Sequence, residues 1–381
     1  MDFAWSDQQR ELFDAVDRFA KEQLNYDVIE NDRNAFFNRD AWNKCAAFGI
    51  HGLPVSEEYG GLAQDPLTTV GALERLGYGC KDNGLLFSIN AHMWTAIIPL
   101  VFNGNEAQKK KFLPRLVDGS LIGGNAMSEP NSGSDAFALS TTAVKKGAKY
   151  ILNGSKIFIT NGPIADVLLV FAATDKERGA AGISAFLVEK DFPGVDLSHK
   201  IEKMGIRTAP MGEVFLEDCE VPEENRLGKE GAGSWTFTRS MTWERGSILA
   251  AHVGTMQRLL EICIRYANER KQGGQSIGKY QQVATKIVEM KMRVERSRHA
   301  LYHYGWAMSH RKAVYMEAAL AKLEISDSWV KCCEDAIQIH GGYGYMVEYE
   351  MERELRDSIA SKLYSGTTEI QRNIVASLLG L

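Results

Sequence analysis

The first third of the chain carries its apolar side chains at the spacing of an amphipathic helix. Phe13, Val16, Phe19 and Ala20 recur every one to three positions along one helical face. Such a pattern places the apolar residues together against a shared core and leaves the polar residues in water. The sequence therefore predicts a helical domain over residues 1–120.

The period changes to that of strands in the middle of the chain, between residues 121 and 235. Two apolar runs flank Asn153-Gly154, a dipeptide that is typical of a tight hairpin turn. Three further short apolar runs follow, at residues 167–172, 183–188 and 214–216. Short strands at this spacing predict a small antiparallel β-domain, either a barrel or a sandwich.

The helical period returns from residue 236 to residue 381. It is strongest over residues 248–267 and 283–308. The order is thus helices, then strands, then helices, without the alternation of strand and helix that a Rossmann domain requires. The sequence predicts an α+β fold with an N-terminal helical domain, a middle antiparallel β-domain and a C-terminal helical bundle.

Composition narrows the classes of function. The chain has 381 residues, 45% hydrophobic and 24% charged, with a formal net charge of −5, so no global basic field favours nucleic acid. No uninterrupted apolar run reaches the roughly 18 residues of a membrane helix, and the first residues match neither a signal nor a transit peptide. The six cysteines lack metal-ligand or disulfide spacing. We expect a cytoplasmic protein with no bound metal.

Two polar segments of the middle zone are candidates for ligand binding. Gly133 and Ser134 lie in a polar loop whose amide and hydroxyl groups could bind a phosphate, although a surface turn explains the same residues. Thr160 ends a predicted strand, where its hydroxyl and amide could meet a ring nitrogen or simply occupy an edge. Each signal is weak alone.

Three segments of the C-terminal zone are further candidates. Arg270 stands beside glycines and could bind a pyrophosphate through its fork of donors, or could simply end a helix. Residues 338–344 contain glycines that allow close backbone approach to a ligand. Residues 364–372 form a helix-start pattern with a threonine as a possible cap.

Taken together and in this order, the motifs resemble those of the acyl-CoA dehydrogenases, over essentially the whole chain. The resemblance implies an N-terminal helical domain, a middle β-domain and a C-terminal four-helix bundle, at residues 1–120, 121–235 and 236–381. It also implies that FAD lies between the last two domains and that a neighbouring subunit completes its site in a homotetramer.

The resemblance assigns cofactor contacts motif by motif. The positions that match family FAD contacts are Met127 and Ser128 (isoalloxazine), Gly133 and Ser134 (pyrophosphate), Phe158 and Thr160 (flavin ring and its N5), Arg270 and Gln281 (contacts across the dimer), Gln338, Gly341 and Gly342 (adenosine half), and Thr367 and Glu369 (the last FAD motif).

Two positions depart from the family. Phe158 stands where many relatives have tryptophan, and Gly273 where they usually have phenylalanine. The missing ring at Gly273 could loosen FAD or be replaced by another side chain.

The family desaturates acyl thioesters: a carboxylate removes the α-proton while the β-hydride passes to flavin N5. Many relatives carry the carboxylate at the position of Ser365, and serine cannot act as that base. A smaller group, typified by isovaleryl-CoA dehydrogenase, supplies it from the position of Glu244. The resemblance therefore implies Glu244 as the base and Arg245 as a supporting residue beside the substrate. Without the family, Glu244 would be a first-turn acid or a partner for Arg245.

Several stretches resemble a narrower subgroup that oxidises prolyl groups tethered to carrier proteins. They include residues 86–92, 161–166 and 182–190. The resemblance implies oxidation of a prolyl thioester to a pyrroline or pyrrole, with a short branched acyl-CoA as the alternative, and either electron-transferring flavoprotein or O2 as acceptor. An acidic carrier protein favours a basic patch. Candidates for that patch are Lys109 to Lys111, Lys145, Lys146 and Lys149.

Overall fold

The computed structural model describes residues 4–310 and 313–381. Its N-terminal part is a cluster of helices, as the apolar spacing predicts. These helices are α1 (Asp7–Gln23), α2 (Val28–Arg33), α3 (Arg39–Phe48), α4 (Pro66–Gly79), α5 (Asn83–His92), α6 (Ile98–Asn103) and α7 (Glu106–Val117). Ser6 and Gln9 form a reciprocal capping box at the start of α1, and Phe13, Val16 and Ala20 are buried on its inner face.

A single continuous helical stretch runs through the N-terminal core. It comprises α5, a π-helical turn at Met93–Ile97, and α6. Within the described residues, this stretch of Asn83–Asn103 is long and apolar enough to cross a membrane, with a mean hydropathy of 1.6. Polar residues divide it into short apolar runs. None of these reaches the roughly 18 unbroken apolar residues by which a membrane helix is recognised in the sequence. Because 89% of its most apolar window is buried inside the protein, it has the character of a core helix.

The middle part is one eight-stranded sheet, with order β6-β7-β3-β2-β4-β5-β8 and β1 paired to β4. Its strands are β1 (Gly123–Ala126), β2 (Thr142–Lys146), β3 (Lys149–Thr160), β4 (Val167–Ala173), β5 (Ile183–Glu189), β6 (Val195–Asp196), β7 (Met211–Pro222) and β8 (Arg226–Leu227). The three apolar runs predicted as strands fall within β4, β5 and β7. The sheet is mixed and not purely antiparallel, because β4 runs parallel to both β1 and β2.

The hairpin expected at Asn153-Gly154 is wrong. Both residues lie inside β3, a single twelve-residue strand, and the actual turn to β2 lies at Gly147. The register between β3 and β7 shifts between Leu152 and Gly154, as at a β-bulge. A side chain at Gly154 would begin 2.4 Å from the Thr141 hydroxyl, so this glycine serves close packing inside the sheet.

The C-terminal part returns to helices. They are α8 (Gly233–Ser247), α9 (Ala250–Glu269), α10 (Gln281–His310), α11 (Tyr315–His340), α12 (Met351–Ile359) and α13 (Thr368–Leu378), with a small ribbon of β9 (Lys271–Gln272) and β10 (Gln275–Ser276) between α9 and α10. Helices α9, α10 and α11 pack on one another, and α8, α12 and α13 pack against α11. The long apolar periods over residues 248–267 and 283–308 thus correspond to α9 and α10.

The helical parts are joined by a close crossing of α4 and α9. A side chain at Gly77 would begin 1.8 Å from the Ala251 carbonyl oxygen, and one at Gly254 would begin 1.9 Å from the Glu74 carbonyl oxygen. Only glycine at both positions allows these backbones to approach so closely. The crossing fixes the N-terminal helices against the C-terminal bundle.

All six cysteines are free and buried, at Cys45, Cys80, Cys219, Cys263, Cys332 and Cys333. Burial raises the pKa of each thiol; the pKa of Cys80, for example, rises to about 12. Within the described residues, no cluster of three or more histidine, cysteine or carboxylate side chains is arranged to hold a metal ion.

Candidate active site

Glu244 is a buried carboxylate with one oxygen held and one oxygen free. Its Oε1 accepts a hydrogen bond from the Ser365 hydroxyl at 2.5 Å, whereas Oε2 has no hydrogen-bond partner among the described residues. Burial raises the pKa of Glu244, and the Ser365 hydroxyl together with the nearby charges of Arg245 and Lys322 partly opposes that rise. A carboxylate in this state is a better base than one in water.

The simpler explanations of Glu244 do not describe its position. It lies in the last turn of α8 and not in the first turn of a helix, so the helix dipole does not stabilise its charge. Among the described residues, no Arg245 nitrogen lies within ion-pair distance of it. The Nε of Arg245 instead donates to the Ser365 carbonyl oxygen at 3.4 Å. Burial lowers the pKa of Arg245.

A tight turn presents the Ser365 hydroxyl to Glu244. Ser365 and Gly366 both have a positive φ, of 56° and 86°. Lys322 reaches the turn from α11 and donates to the Ser361 and Gly366 carbonyl oxygens at 3.1 and 2.9 Å. The side-chain amide of Gln371 donates to both the Ser365 and Gly366 carbonyl oxygens at 3.0 Å. These bonds hold the left-handed backbone in place.

Lys322 is almost fully buried, and burial lowers the pKa of its ammonium group to about 8. Aromatic rings lie close to the same turn. Tyr364, directly before Ser365, packs on Phe87 of α5 with ring centroids 4.5 Å apart. Trp243, directly before Glu244, stacks on Trp94 at 5.7 Å. The two residues that flank the carboxylate–hydroxyl pair are therefore anchored in apolar surroundings.

A second group of predicted residues lies on the β-domain. The Ile157 amide donates to the Ser128 carbonyl oxygen at 3.0 Å, which ties the Met127-Ser128 segment to β3. Phe158 lies at an irregularity of that strand, with φ of 60° and 61% of its surface exposed. Thr160 ends the strand. A strained aromatic residue that faces outward is typical of a ligand-binding surface.

A buried ion pair lies beneath this segment. Lys156 donates to Glu129 Oε1 at 2.8 Å and to the Met127 carbonyl oxygen at 3.2 Å. Glu129 also accepts from the backbone amides of Ser140 and Thr141 at 2.6 and 3.0 Å. The side chains of Lys156 and Glu129 are 0% and 3% exposed. The pair thus fixes three chain segments to one another under Met127.

The loop that follows Glu129 is open to solvent. Gly133 and Ser134 are exposed, and a side chain at Gly133 would meet no atom within 4 Å. The Ser132 hydroxyl donates to the Asp135 carbonyl oxygen at 2.6 Å and closes the loop. The bare backbone at Gly133 therefore remains available to a ligand.

Arg270, Gly341 and Gly342 line one pocket of about 510 Å³, although they are seventy residues apart in sequence. The Arg270 guanidinium lies 5.5 Å from the ring centroid of Tyr343, at the same pocket. Side chains at both glycines would meet no atom within 4 Å. Gln338 is exposed at the end of α11, and its carbonyl oxygen accepts the Gly341 amide.

The ribbon beside this pocket accounts for the unusual Gly273. Gly273 and Gly274 form its turn, with φ of 56° and 82°. A side chain at Gly273 would begin 2.5 Å from the Tyr280 hydroxyl, which itself donates to the Gln272 carbonyl oxygen at 2.9 Å. Another aromatic side chain thus covers this position. Gln281, directly after Tyr280, is exposed at the start of α10.

Thr367 caps α13, as its sequence pattern predicts, and its side chain accepts the Ile370 amide at 3.3 Å. Glu369 is exposed in the first turn of that helix.

Three buried histidines, His92, His252 and His340, have structural contacts. His92 bonds the Leu116 carbonyl oxygen and the Gly123 amide, and burial lowers the pKa of His92 to about 4. His252 packs against the ring of Trp329, and His340 bonds the Ala336 carbonyl oxygen of its own helix.

Sequence reasoning missed the residues that support these sites through hydrogen bonds and an ion pair. Lys322 had a usable signal, because it shares the buried face of α11 with Ala318 and Ile325 and a lysine there needs partners. Lys156 had none, since strand lysines are common and its partner Glu129 lies in a loop. Likewise, nothing in the sequence indicated that Gln371 reaches back to the Ser365 turn.

Three family models match the chain. They describe the acyl-CoA dehydrogenase N-terminal domain at residues 6–120, the middle domain at 124–219 and the C-terminal domain at 231–380. The L-prolyl-[peptidyl-carrier protein] dehydrogenase of Serratia sp. (strain ATCC 39006) is 40% identical over 381 residues, which cover 100% of this chain and 99% of that protein.

Solved structures are similar over the same length. The crystal structure of the prolyl acyl carrier protein oxidase AnaB is 53% identical with a TM-score of 0.98, covering 99% of this chain and 100% of that one. A structure of PigA with FAD and proline is 40% identical, also with a TM-score of 0.98, and covers all of both chains. With three domain models in their family order and full-length relatives of this similarity, the chain belongs to the acyl-CoA dehydrogenase family of oxidoreductases.

Proposed function

We propose that this protein is an FAD-dependent dehydrogenase or oxidase of a prolyl thioester carried on a carrier protein. The observation that carries the proposal is the Glu244–Ser365 pair. The two positions from which family members supply the base meet here within hydrogen-bond distance, and only one of them holds a carboxylate. The full-length relatives named for prolyl-carrier-protein oxidation support the choice of acyl group.

The residues present fit FAD. The bare backbone at Gly133, Gly341 and Gly342 leaves open space where a side chain would stand, and Arg270 brings a positive charge to the glycine pocket. As the family resemblance implies, we propose that Arg270 and Gln281 contact FAD across a dimer and that Gln338 contacts its adenosine half.

FAD, when bound, supplies the acceptor for the hydride that leaves the β-carbon. The chain supplies the rest. The free Oε2 of Glu244 takes the α-proton, while the Ser365 hydroxyl holds Oε1 and keeps the carboxylate turned toward the substrate. Aromatic rings pack on either side of the pair, and the burial that raises the pKa of Glu244 makes its carboxylate a stronger base for the α-proton. Arg245 supports the turn through its bond to the Ser365 carbonyl oxygen.

The same proposal assigns the remaining roles. Met127, Ser128, Phe158 and Thr160 face the isoalloxazine, Gly133 and Ser134 the pyrophosphate, and Thr367 and Glu369 complete the FAD site. The domains divide near residues 120 and 235, within three residues of the end of α7 and the start of α8. We further propose a cytoplasmic homotetramer that passes electrons to electron-transferring flavoprotein or to O2.

Anaerobic flavin bleaching tests the proposal. The purified holoenzyme is mixed with prolyl-loaded carrier protein and, separately, with isovaleryl-CoA, and the flavin absorbance is followed. We expect the prolyl carrier alone to bleach the flavin. Bleaching by isovaleryl-CoA alone would assign the enzyme to short branched acyl-CoA oxidation, and bleaching by neither would contradict thioester dehydrogenation.

A further inference from the structure

A row of cationic and aromatic side chains runs along α8, outside the roles assigned so far. Trp235, Arg239 and Trp243 follow one another at intervals of four residues and share one helical face. The Arg239 guanidinium lies 4.2 Å from the ring centroid of Phe102 and 5.1 Å from that of Trp235. Trp243 continues the row against Phe102, at 6.3 Å. The contacts form a continuous row.

The row leads from the surface to the base. Trp235 is 57% exposed, whereas Trp94, which stacks on Trp243 at the inner end, is fully buried. Glu244 directly follows Trp243. At 1.5 Å per residue, Trp235 lies about 13 Å along the helix from Glu244. A thioester at Glu244 therefore leaves its carrying arm within reach of the Trp235 end of α8.

Arg239 has no carboxylate within ion-pair distance among residues 4–310 and 313–381. In the described part of the chain its guanidinium lies over the faces of two rings, which carry no net charge and leave its positive charge unpaired. In addition to the half-buried Arg239, three exposed cations flank the same end of α8. They are Lys176, Arg178 and Lys229. The Arg178 guanidinium lies 4.0 Å from where a side chain at Gly231 would begin, four residues before Trp235.

The acidic residues near this end do not cancel these charges. Glu230 is paired with Arg226 at 3.2 Å. Asp175 and Glu177 are exposed carboxylates in the same stretch of chain as Lys176 and Arg178. These two negative charges face the four positive charges of Lys176, Arg178, Lys229 and Arg239. The patch around Trp235 and Arg239 is positive overall.

Four of the six lysines that the sequence offered for this role are engaged in ion pairs, whereas Lys110 and Lys146 are exposed and have no ion pair among the described residues. Lys109 pairs with Glu106, Lys111 with Glu189, Lys145 with Glu223 and Lys149 with Glu220, at 2.6 to 3.6 Å. Paired charges of this kind attract an acidic partner less than unpaired ones do. The difference favours the α8 end over the surfaces that carry those lysines.

We propose that Trp235, Arg239 and the flanking cations Lys176, Arg178 and Lys229 form the docking surface for an acidic, phosphopantetheine-bearing carrier protein. The inference rests on the proposed function and identifies the surface that recognises the carrier protein. The exposed indole and the unpaired guanidinium belong to tryptophan and arginine, two residue types that often carry most of the binding energy at protein interfaces. The surrounding positive charge attracts the acidic carrier protein to the end of α8, from which its phosphopantetheine arm reaches Glu244.

The test compares one acyl group on three carriers. The holoenzyme, and its R239E, R239Q and W235A variants, oxidise prolyl-loaded carrier protein, prolyl-pantetheine and prolyl-CoA, with kcat/KM measured for each. The matched control is K200E, an exposed lysine beside β7, at the opposite edge of the sheet from β5 and β8. FAD absorbance and melting temperature confirm that each variant is folded and loaded.

We expect R239E to lower the ratio of kcat/KM for carrier protein to that for pantetheine by about tenfold or more, because charge reversal repels an acidic partner. R239Q and W235A should lower it less, and K200E should leave it within about twofold. Added salt should reduce the rate with carrier protein in the parent enzyme and much less in R239E.

Four results would overturn the proposal. An unchanged ratio in both R239E and W235A would show that the surface does not contact the carrier. An equal loss with prolyl-CoA relative to prolyl-pantetheine would mean that the patch binds nucleotide phosphates. If the parent enzyme oxidises no prolyl thioester at all, both the proposed function and the docking surface are wrong. If it oxidises the prolyl carrier protein and prolyl-pantetheine equally well and independently of salt, only the docking surface is wrong.

Discussion

Removal of the Ser365 hydroxyl should change the pH dependence of the reaction more than its maximal rate. The hydroxyl donates to Glu244 Oε1 at 2.5 Å and opposes the rise in the Glu244 pKa that burial causes. In Ser365→Ala the carboxylate loses this donor, so the Glu244 pKa rises further above its ordinary value. The base acts only when ionised, and the acidic limb of the kcat profile should therefore move to higher pH.

The size of the effect follows from the bond that is lost. A hydrogen bond to a charged group contributes about 1.5–3 kcal/mol. At a pH below the Glu244 pKa, the ionised fraction, and with it kcat, should fall roughly tenfold to a hundredfold. At a pH well above the pKa the carboxylate is ionised in both enzymes, and the two rates should converge. Anaerobic stopped-flow bleaching across the pH range measures both limbs.

A second variant separates the hydroxyl from the backbone. Ser365 has φ of 56°, where a side chain is strained, and Ser365→Gly relieves that strain while it also removes the hydroxyl. If the hydrogen bond is the cause, alanine and glycine should shift the acidic limb alike. Profiles that coincide with the parent enzyme in both variants would refute the reasoning.

Other changes have equally direct expectations. Glu244→Gln should retain yellow FAD but bleach about a thousandfold more slowly, because the amide cannot take the α-proton; full turnover would exclude Glu244 as the base. The double variant with Ser365→Glu and Glu244→Gly should recover part of the activity, since the two side chains meet at one point; a folded, FAD-loaded but inactive protein would contradict this. Gly342→Val should keep the melting temperature of the apoprotein but weaken FAD binding about tenfold or more by filling the pocket, as measured by fluorescence titration. Lys156→Met should lower the free energy of unfolding in urea by about 3–5 kcal/mol, since it leaves the Glu129 carboxylate buried without its cation; a loss below 1 kcal/mol would show that the pair is dispensable.

The helical zones and the strands β4, β5 and β7 could be predicted from local pattern, because the period of apolar residues is set by the geometry of each element. The bulge at Gly154 could not be predicted in this way. The residue type that favours a hairpin also permits a bulge, and only the pairing of β3 with β7 decides between them. The parallel pairing of β4 with β1 and β2 is likewise a property of the assembled sheet.

The site divides in the same way. A family motif could assign Glu244 and Ser365, but not the hydrogen bond between them, because 121 residues separate the two in sequence. The glycines at 341 and 342 were weak signals alone and gained meaning once Arg270 lined the same pocket. Lys322 supports the Ser365 turn through carbonyl oxygens, and bonds to backbone leave no trace in the partner's residue type.

The six buried cysteines can be used as probes of local unfolding in the protein. Each thiol has a raised pKa and lies out of reach of solvent, so alkylating reagents should react only when the surrounding segment unfolds. Two of the thiols lie in or beside the N-terminal helices, one in the sheet and three in the C-terminal bundle. Pulsed maleimide labelling read by mass spectrometry would therefore follow the loosening of each part separately. A comparison with and without FAD would reveal which part of the molecule depends on its cofactor to stay closed.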